Sequence, residues 1–298
     1  MSGYSEGGPS CLNLMQGGRM RRTGRIRLLA APDWEMTDFI DLLALGPREL
    51  ASRPGASVLS TVPSTMVAAL SFREQRLYFK YFLTSGPVSR IKGLLRGSKA
   101  SRALKGACML SEAGLATPCI VAVSEPAGLP GRWDSLLVTR HLDGQTLRVL
   151  LRTVNLDGKA RAVLARRLGR FIARLHGKGL VHGDLHPGNV MVVDPGQDLG
   201  GDPSRNRLTK SDACPSFALM DTERVRRASG TLSRGMLRDL ALLNHPNLGY
   251  VSRADRMRFL ASYMESRQEE RACPELCRNM KALAGKIHEM SKKRYGRR

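Results

Sequence analysis

Asp184 and Asn189 stand five positions apart in the stretch Leu180-Val181-His182-Gly183-Asp184-Leu185-His186-Pro187-Gly188-Asn189-Val190-Met191-Val192-Val193. By type and spacing they are the residues of this chain best suited to chemistry. When a phosphoryl group leaves a nucleotide, one carboxylate orients the attacking hydroxyl, and a nearby amide oxygen helps to hold the magnesium that neutralises the phosphates. Asp184 fits the first role and Asn189 the second. A later apolar run, Phe217-Ala218-Leu219-Met220-Asp221, ends in a carboxylate suited to a second magnesium ligand.

Gly183, Pro187 and Gly188 alone describe an ordinary turn that Asp184 and Asn189 could cap. The surrounding order favours chemistry instead. Upstream, Lys159 to Lys178 repeats Leu164, Leu168, Phe171, Ile172 and Leu175 at helical spacing, and Gly177 and Gly179 supply the stop. Downstream, Val190 to Val193 reads as a strand, and a Gly-, Pro- and Asp-containing insertion from Asp194 to Pro215 separates it from the run ending at Asp221. Helix, loop, strand, strand and aspartate follow the order of a kinase C-lobe. The loop matches H-x-D-x-x-x-x-N, with Gly183 where protein kinases carry arginine, and so resembles phosphotransferases acting on small molecules and sugars.

The N-terminal half must then supply a nucleotide-binding lobe. Ser57–Ser60, Met66–Leu70 and Leu77–Phe82 read as strands. Lys80, set among aromatic neighbours, is placed to hold the α- and β-phosphates of ATP. Thr61-Val62-Pro63-Ser64-Thr65 takes the place of the phosphate-covering loop without any glycine, leaving backbone N–H groups and the hydroxyls of Ser64 and Thr65 as phosphate donors. Ser98 to Leu115 reads as a helix whose middle turns hold no acid, with Glu112 at its far end. Strands are expected at Ile120–Val123 and Ser135–Thr139, and Val138-Thr139-Arg140-His141-Leu142 as the hinge that meets adenine. Trp34 to Leu45 reads as a packing helix with Asp33 as its cap, Arg234 to Leu243 as a C-lobe helix, and Ser252-Arg253-Ala254-Asp255 as the capping box of the next.

The chain has 298 residues, 42% of them hydrophobic, which suits a core-forming protein. Lys and Arg total 48 against 26 Asp and Glu, a formal charge of +22, so an anionic partner or surface is expected. Nucleic acid is not, because aromatics are 5% of residues and no stacking platform stands out. The six cysteines are scattered and read as reduced thiols, Cys273 and Cys277 included. No run approaches the roughly 18 apolar residues of a membrane span, and Met1 to Gly8 is polar, so a cytoplasmic protein is expected. Residues 1 to about 30, rich in glycine and arginine, read as a mobile basic arm. The predicted organisation is therefore an arm and helix over 1–55, an N-lobe over 56–142 and a C-lobe over 143–298.

Several stretches resemble the bacterial lipopolysaccharide core kinases that phosphorylate Kdo or heptose. They are Tyr78 to Phe82, Ser98 to Ala103, Leu110 to Pro118, the catalytic loop, Asp221 to Arg224, Arg238 to Asn244 and Asp255 to Leu260. The resemblance implies an α+β, bilobal protein-kinase-like fold, with an antiparallel-sheet N-lobe and a mainly helical C-lobe. It implies ATP and magnesium as cofactors and a sugar hydroxyl as acceptor, the acceptor being a small molecule or glycolipid at the inner face of the cytoplasmic membrane. Asp184 then looks like the catalytic base, Asn189 and Asp221 like metal ligands, and Lys80 like the ATP lysine. Two other readings stay open: a phosphotransferase for an aminoglycoside or aminoalcohol, and a non-catalytic scaffold on an anionic surface.

Overall fold

The computed structural model describes residues 21–23, 26–31, 34, 37–83, 97–126, 133–193, 216–230, 232–245, 251–269 and 280–295. The expected insertion at 194–215, Asp33, Cys273, Cys277, residues 1–20 and the last three residues of the basic tail lie outside them. The chain divides into two compact units between Leu142 and Asp143.

The first unit is built on a seven-stranded antiparallel sheet in the order β1-β2-β6-β7-β5-β4-β3. Its strands are β1 (Arg21–Thr23), β2 (Ile26–Ala30), β3 (Ser57–Val62), β4 (Thr65–Phe72), β5 (Gln75–Leu83), β6 (Ile120–Pro126) and β7 (Trp133–Arg140). Residues 26–30, expected within a mobile arm, instead form a strand paired with β6 from Ile26↔Pro126 to Ala30↔Ala122. Ile26, Leu28 and Ala30 are buried, and Arg27 and Leu29 point the other way. This period-2 alternation lay hidden behind the arginines.

Helices α1 (Thr37–Ala44) and α2 (Pro47–Ala51) precede the meander β3–β5. They join a core in which Trp34, Phe39, Leu43, Leu50, Leu77, Phe79 and Tyr81 are buried. The Tyr81 hydroxyl donates to the Leu45 carbonyl at 2.9 Å, which satisfies the one polar atom that ring brings inside. Helix α3 (Lys99–Glu112) begins where the Ser98 hydroxyl accepts the Ser101 N–H at 3.0 Å.

The second unit is mainly helical, with α4 (Leu147–Thr153), α5 (Gly158–Gly177), α6 (Arg234–Leu243), α7 (Arg253–Glu269) and α8 (Met280–Tyr295). Two small sheets join them, β8 (Gln145–Thr146) with β10 (Val190–Val193) and β11 (Ser216–Leu219), and β9 (Leu180–Val181) with β12 (Arg226–Arg227). Helix α5 buries Leu164, Leu168, Phe171, Ile172 and Leu175, the stripe its periodicity predicts. Full burial of each such side chain contributes about 1.5–3 kcal/mol before entropy is counted. Gly169 lets α7 approach, because a Cβ there would lie 2.5 Å from the Phe259 carbonyl oxygen. The capping box opens α7 as expected: the Ser252 hydroxyl accepts the Asp255 N–H at 3.1 Å, and Asp255 accepts the Ser252 N–H at 3.1 Å.

Candidate active site

The stretch that carries Asp184 and Asn189 is a turn held from three sides. First, β9 delivers it and is itself held by β12 in the register Val181↔Arg226. Second, the His182 ring, fully buried, donates from Nε2 to the Met220 carbonyl at 2.8 Å and so ties the loop to the residue before Asp221. Third, Asp239 on α6 reaches up beneath the loop. Its Oδ2 accepts the His182 N–H at 2.7 Å, and its Oδ1 accepts the Gly183 N–H at 2.9 Å.

Asp239 is wholly buried. An isolated buried carboxylate is costly, and two backbone donors together with the His176 ring edge, Nε2 at 3.6 Å, offset that cost. With Nε2 facing the carboxylate, His176 Nδ1 accepts the Tyr263 hydroxyl proton at 2.8 Å. Burial pushes the His176 pKa below its ordinary value; Asp239 opposes this shift and Arg267 adds to it. Asp239 lies within the family-like stretch Arg238 to Asn244, where spacing alone assigns it no role. The available signal was a lone acid on the apolar face of α6, among Met236, Leu240 and Leu243.

Gly183 sits at φ 81°, where a Cβ would approach the Arg224 carbonyl oxygen to 2.7 Å. Both the left-handed backbone and the close approach require glycine, which accounts for the missing arginine.

Asp184 and Asn189 share one hydrogen-bonded turn. The Asn189 side-chain amide donates from Nδ2 to the Asp184 carbonyl at 2.9 Å, and the Asn189 N–H goes to the His186 carbonyl at 2.8 Å. With Nδ2 spent, the Asn189 amide oxygen is the atom left for a cation. The β10–β11 register, Val190↔Leu219, continues as the Met220 N–H donating to the Asn189 carbonyl at 2.9 Å. Asp221 is therefore the next residue along, and it turns out of the strand at φ 59°, ψ 58°. Asn189 and Asp221 thus offer an amide oxygen and a carboxylate, hard donors of the kind magnesium takes. The Asp184 carboxylate has the Arg224 guanidinium at 3.5 Å.

The residues expected to meet nucleotide lie in the first unit, around the face of β5 that carries Lys80. Lys80 is flanked by Val67 on β4 and Leu137 on β7, and Thr65 stands opposite Phe82, two residues along that face. Ser64 lies in the two-residue turn between Val62 and Thr65, its carbonyl accepting the Leu83 N–H at 3.0 Å. His141 follows β7, and its Nδ1 lies 2.7 Å from the hydroxyl of Tyr78, which shares the Lys80 face. The His141 N–H is already given to the Arg76 carbonyl at 2.8 Å.

A further feature of this face has no local signal in the sequence. The ammonium groups of Lys80 and Lys99 lie 5.1 Å and 5.7 Å from the centroid of the same Phe82 ring. Thus the start of α3 supplies a second cation near Lys80, whereas Glu112 lies exposed at the far end of the helix.

Fold and loop together define a protein-kinase-like phosphotransferase. The model of the lipopolysaccharide kinase (Kdo/WaaP) family matches residues 97–263, more than half of the chain, and the chain belongs to that family. It is an ATP-dependent kinase of the lipopolysaccharide core, which sets aside the aminoglycoside and scaffold readings. A solved structure described as WaaP in complex with acyl carrier protein shares the fold. It is 20% identical, with a TM-score of 0.59 over 90% of this chain and 99% of that chain. A search of curated proteins gives no match. Among the described residues no helix is long and apolar enough to cross a membrane.

Proposed function

We propose that the kinase transfers the γ-phosphate of ATP to a hydroxyl of an inner-core sugar, Kdo or heptose, with Asp184 taking the hydroxyl proton as the new P–O bond forms. The observation that carries this reading is the bond from Asn189 Nδ2 to the Asp184 carbonyl, which makes the base and an amide oxygen parts of one turn. Asn189 and Asp221 would hold magnesium, which supplies charge neutralisation at the phosphates. Lys80 and Lys99 meet phosphate oxygens, relieving the repulsion of two ammonium groups on one ring. Ser64 and Thr65 cover the phosphates, and the segment around His141 meets the base through backbone groups other than its own N–H.

An acidic membrane surface is the proposed place of work, in keeping with the formal charge of +22. The structurally similar WaaP chain is complexed with acyl carrier protein. A carrier protein is a partner proposed here too, supported by an apolar cavity of about 270 Å³ lined by Leu147, Leu151, Leu164, Leu168, Leu260 and Ile287. Incubation with labelled ATP and a panel of core glycolipids, followed by mass analysis, tests the reading: one acceptor should gain a single phosphate, and labelling of none rejects it.

A further inference from the structure

A second cavity, of about 490 Å³, opens beside Asp184 within the helical unit. Its walls come from four places: Arg148 on α4, His186 in the catalytic loop, His245 just past α6, and Arg294 and Tyr295 at the end of α8. The last wall is anchored. The Tyr295 hydroxyl donates to the Leu242 carbonyl at 3.3 Å, its ring centroid lies 4.0 Å from that of His245, and the Ser291 hydroxyl donates to the Asn244 carbonyl at 2.7 Å. The end of α8 is therefore fixed against the end of α6, and Arg294 is held at the cavity.

Arg148 is placed from the opposite side. Its guanidinium carbon lies 3.6 Å from where a Cβ on Gly188 would stand, directly over the catalytic turn. His186 accepts the Gly188 N–H on Nδ1 at 3.1 Å, which leaves Nε2 as the ring's donor. Among the described residues neither Arg148 nor Arg294 forms an ion pair with a carboxylate. Of the described residues lining the cavity the one acid is Asp184, which faces Arg224 at 3.5 Å. The cavity thus joins two uncompensated guanidinium groups and a ring N–H to the group that takes the acceptor's proton. A planar guanidinium matches two oxygens of a carboxylate or phosphate at once, and it repels a cationic ligand.

We infer that Arg148 and Arg294 form an acceptor subsite for an anionic group, a sugar carboxylate or a phosphate on the sugar, and that binding this group sets the reacting hydroxyl against Asp184. The inference rests on the reading of Asp184 as the base, but the subsite can be tested without turnover. Calorimetry would compare four probes: Kdo, its methyl ester, heptose 7-phosphate and heptose. A carboxylate subsite binds Kdo about 10- to 100-fold more tightly than the ester, the size of one or two charge-assisted hydrogen bonds. A phosphate subsite shows that preference for heptose 7-phosphate over heptose.

In the double variant Arg148→Gln, Arg294→Gln the preference falls to about one while the thermal midpoint moves by no more than about 3 °C, as for surface substitutions. A purely structural role would weaken both members of a pair alike and leave their ratio intact. A preference that survives in the double variant, or no preference for either anion in the native protein, overturns the subsite. A preference lost with the arginines, in a protein that phosphorylates no core acceptor, leaves the subsite standing and removes the sugar-kinase reading instead.

Discussion

The Asp239 carboxylate accepts the His182 N–H at 2.7 Å from within the apolar face of α6, so the loop that carries Asp184 rests on a buried side chain rather than on its own turn alone. Because Asp239 bonds two consecutive amides, its loss leaves two buried donors without partners. Asp239→Ala should cost about 2–4 kcal/mol in urea unfolding and lower turnover by roughly 100-fold through displacement of Asp184. Asp239→Asn, which retains one acceptor oxygen, should fall between it and the native protein. An alanine variant with native turnover would show that the loop keeps its shape without this support.

The Phe82 ring with its two ammonium groups predicts an additive effect on nucleotide affinity. Lys80→Met should raise the Kd for ATP about 10- to 100-fold, the usual worth of a charge-assisted bond, and Lys99→Ala should raise it less but in the same direction. Nucleotide titration by calorimetry is the measurement. Unchanged affinity in Lys80→Met would make that residue a surface lysine.

His176 makes the fold acid-sensitive. Its pKa lies below the ordinary 6.5 because of burial, so below pH 6.5 the unfolded chain takes up a proton that the folded ring refuses. Stability from this group is full above pH 6.5 and is lost as pH falls towards the folded value. His186 shifts the same way, again chiefly through burial. Between pH 6.5 and 5, urea-unfolding free energy should drop more steeply in the native protein than in His176→Gln, by up to about 1.4 kcal/mol per pH unit. Equal slopes would remove His176 from the acid response.

Membrane attachment is predicted to be electrostatic. Flotation with anionic vesicles should succeed at low salt and weaken steeply as salt rises, since each Lys or Arg near such a surface contributes about 1 kcal/mol within a Debye length. Residues 26–30 belong to the sheet, so the informative deletion ends at residue 20, combined with Lys292→Glu and Lys293→Glu at the exposed end of α8. Binding to neutral vesicles that persists at high salt would point to an apolar contact instead.

Much of this architecture could be read from the sequence because its signals are local. The α5 stripe, the aromatic strand run around Lys80 and the Ser252–Asp255 box each lie within one element. The residues that support the site from elsewhere were less legible. Asp239 lies over fifty positions from the amides it accepts, and Lys99 meets Phe82 only after a helix has packed on a sheet. Arg148 and Arg294 reach one cavity from helices at opposite ends of the second unit. A single-chain pattern carries no record of such meetings. Ile26–Ala30 failed for a different reason: an arginine-rich context hid a short alternating strand.

In the proposed reaction Asp184 takes the acceptor's proton beside a cation held by Asn189 and Asp221. The most direct test is mass analysis of core glycolipid incubated with labelled ATP and the native protein, Asp184→Ala or Asp221→Ala. The native protein should add one phosphate, while each variant, with a thermal midpoint close to native, should add none. Native turnover by folded Asp184→Ala would contradict the account.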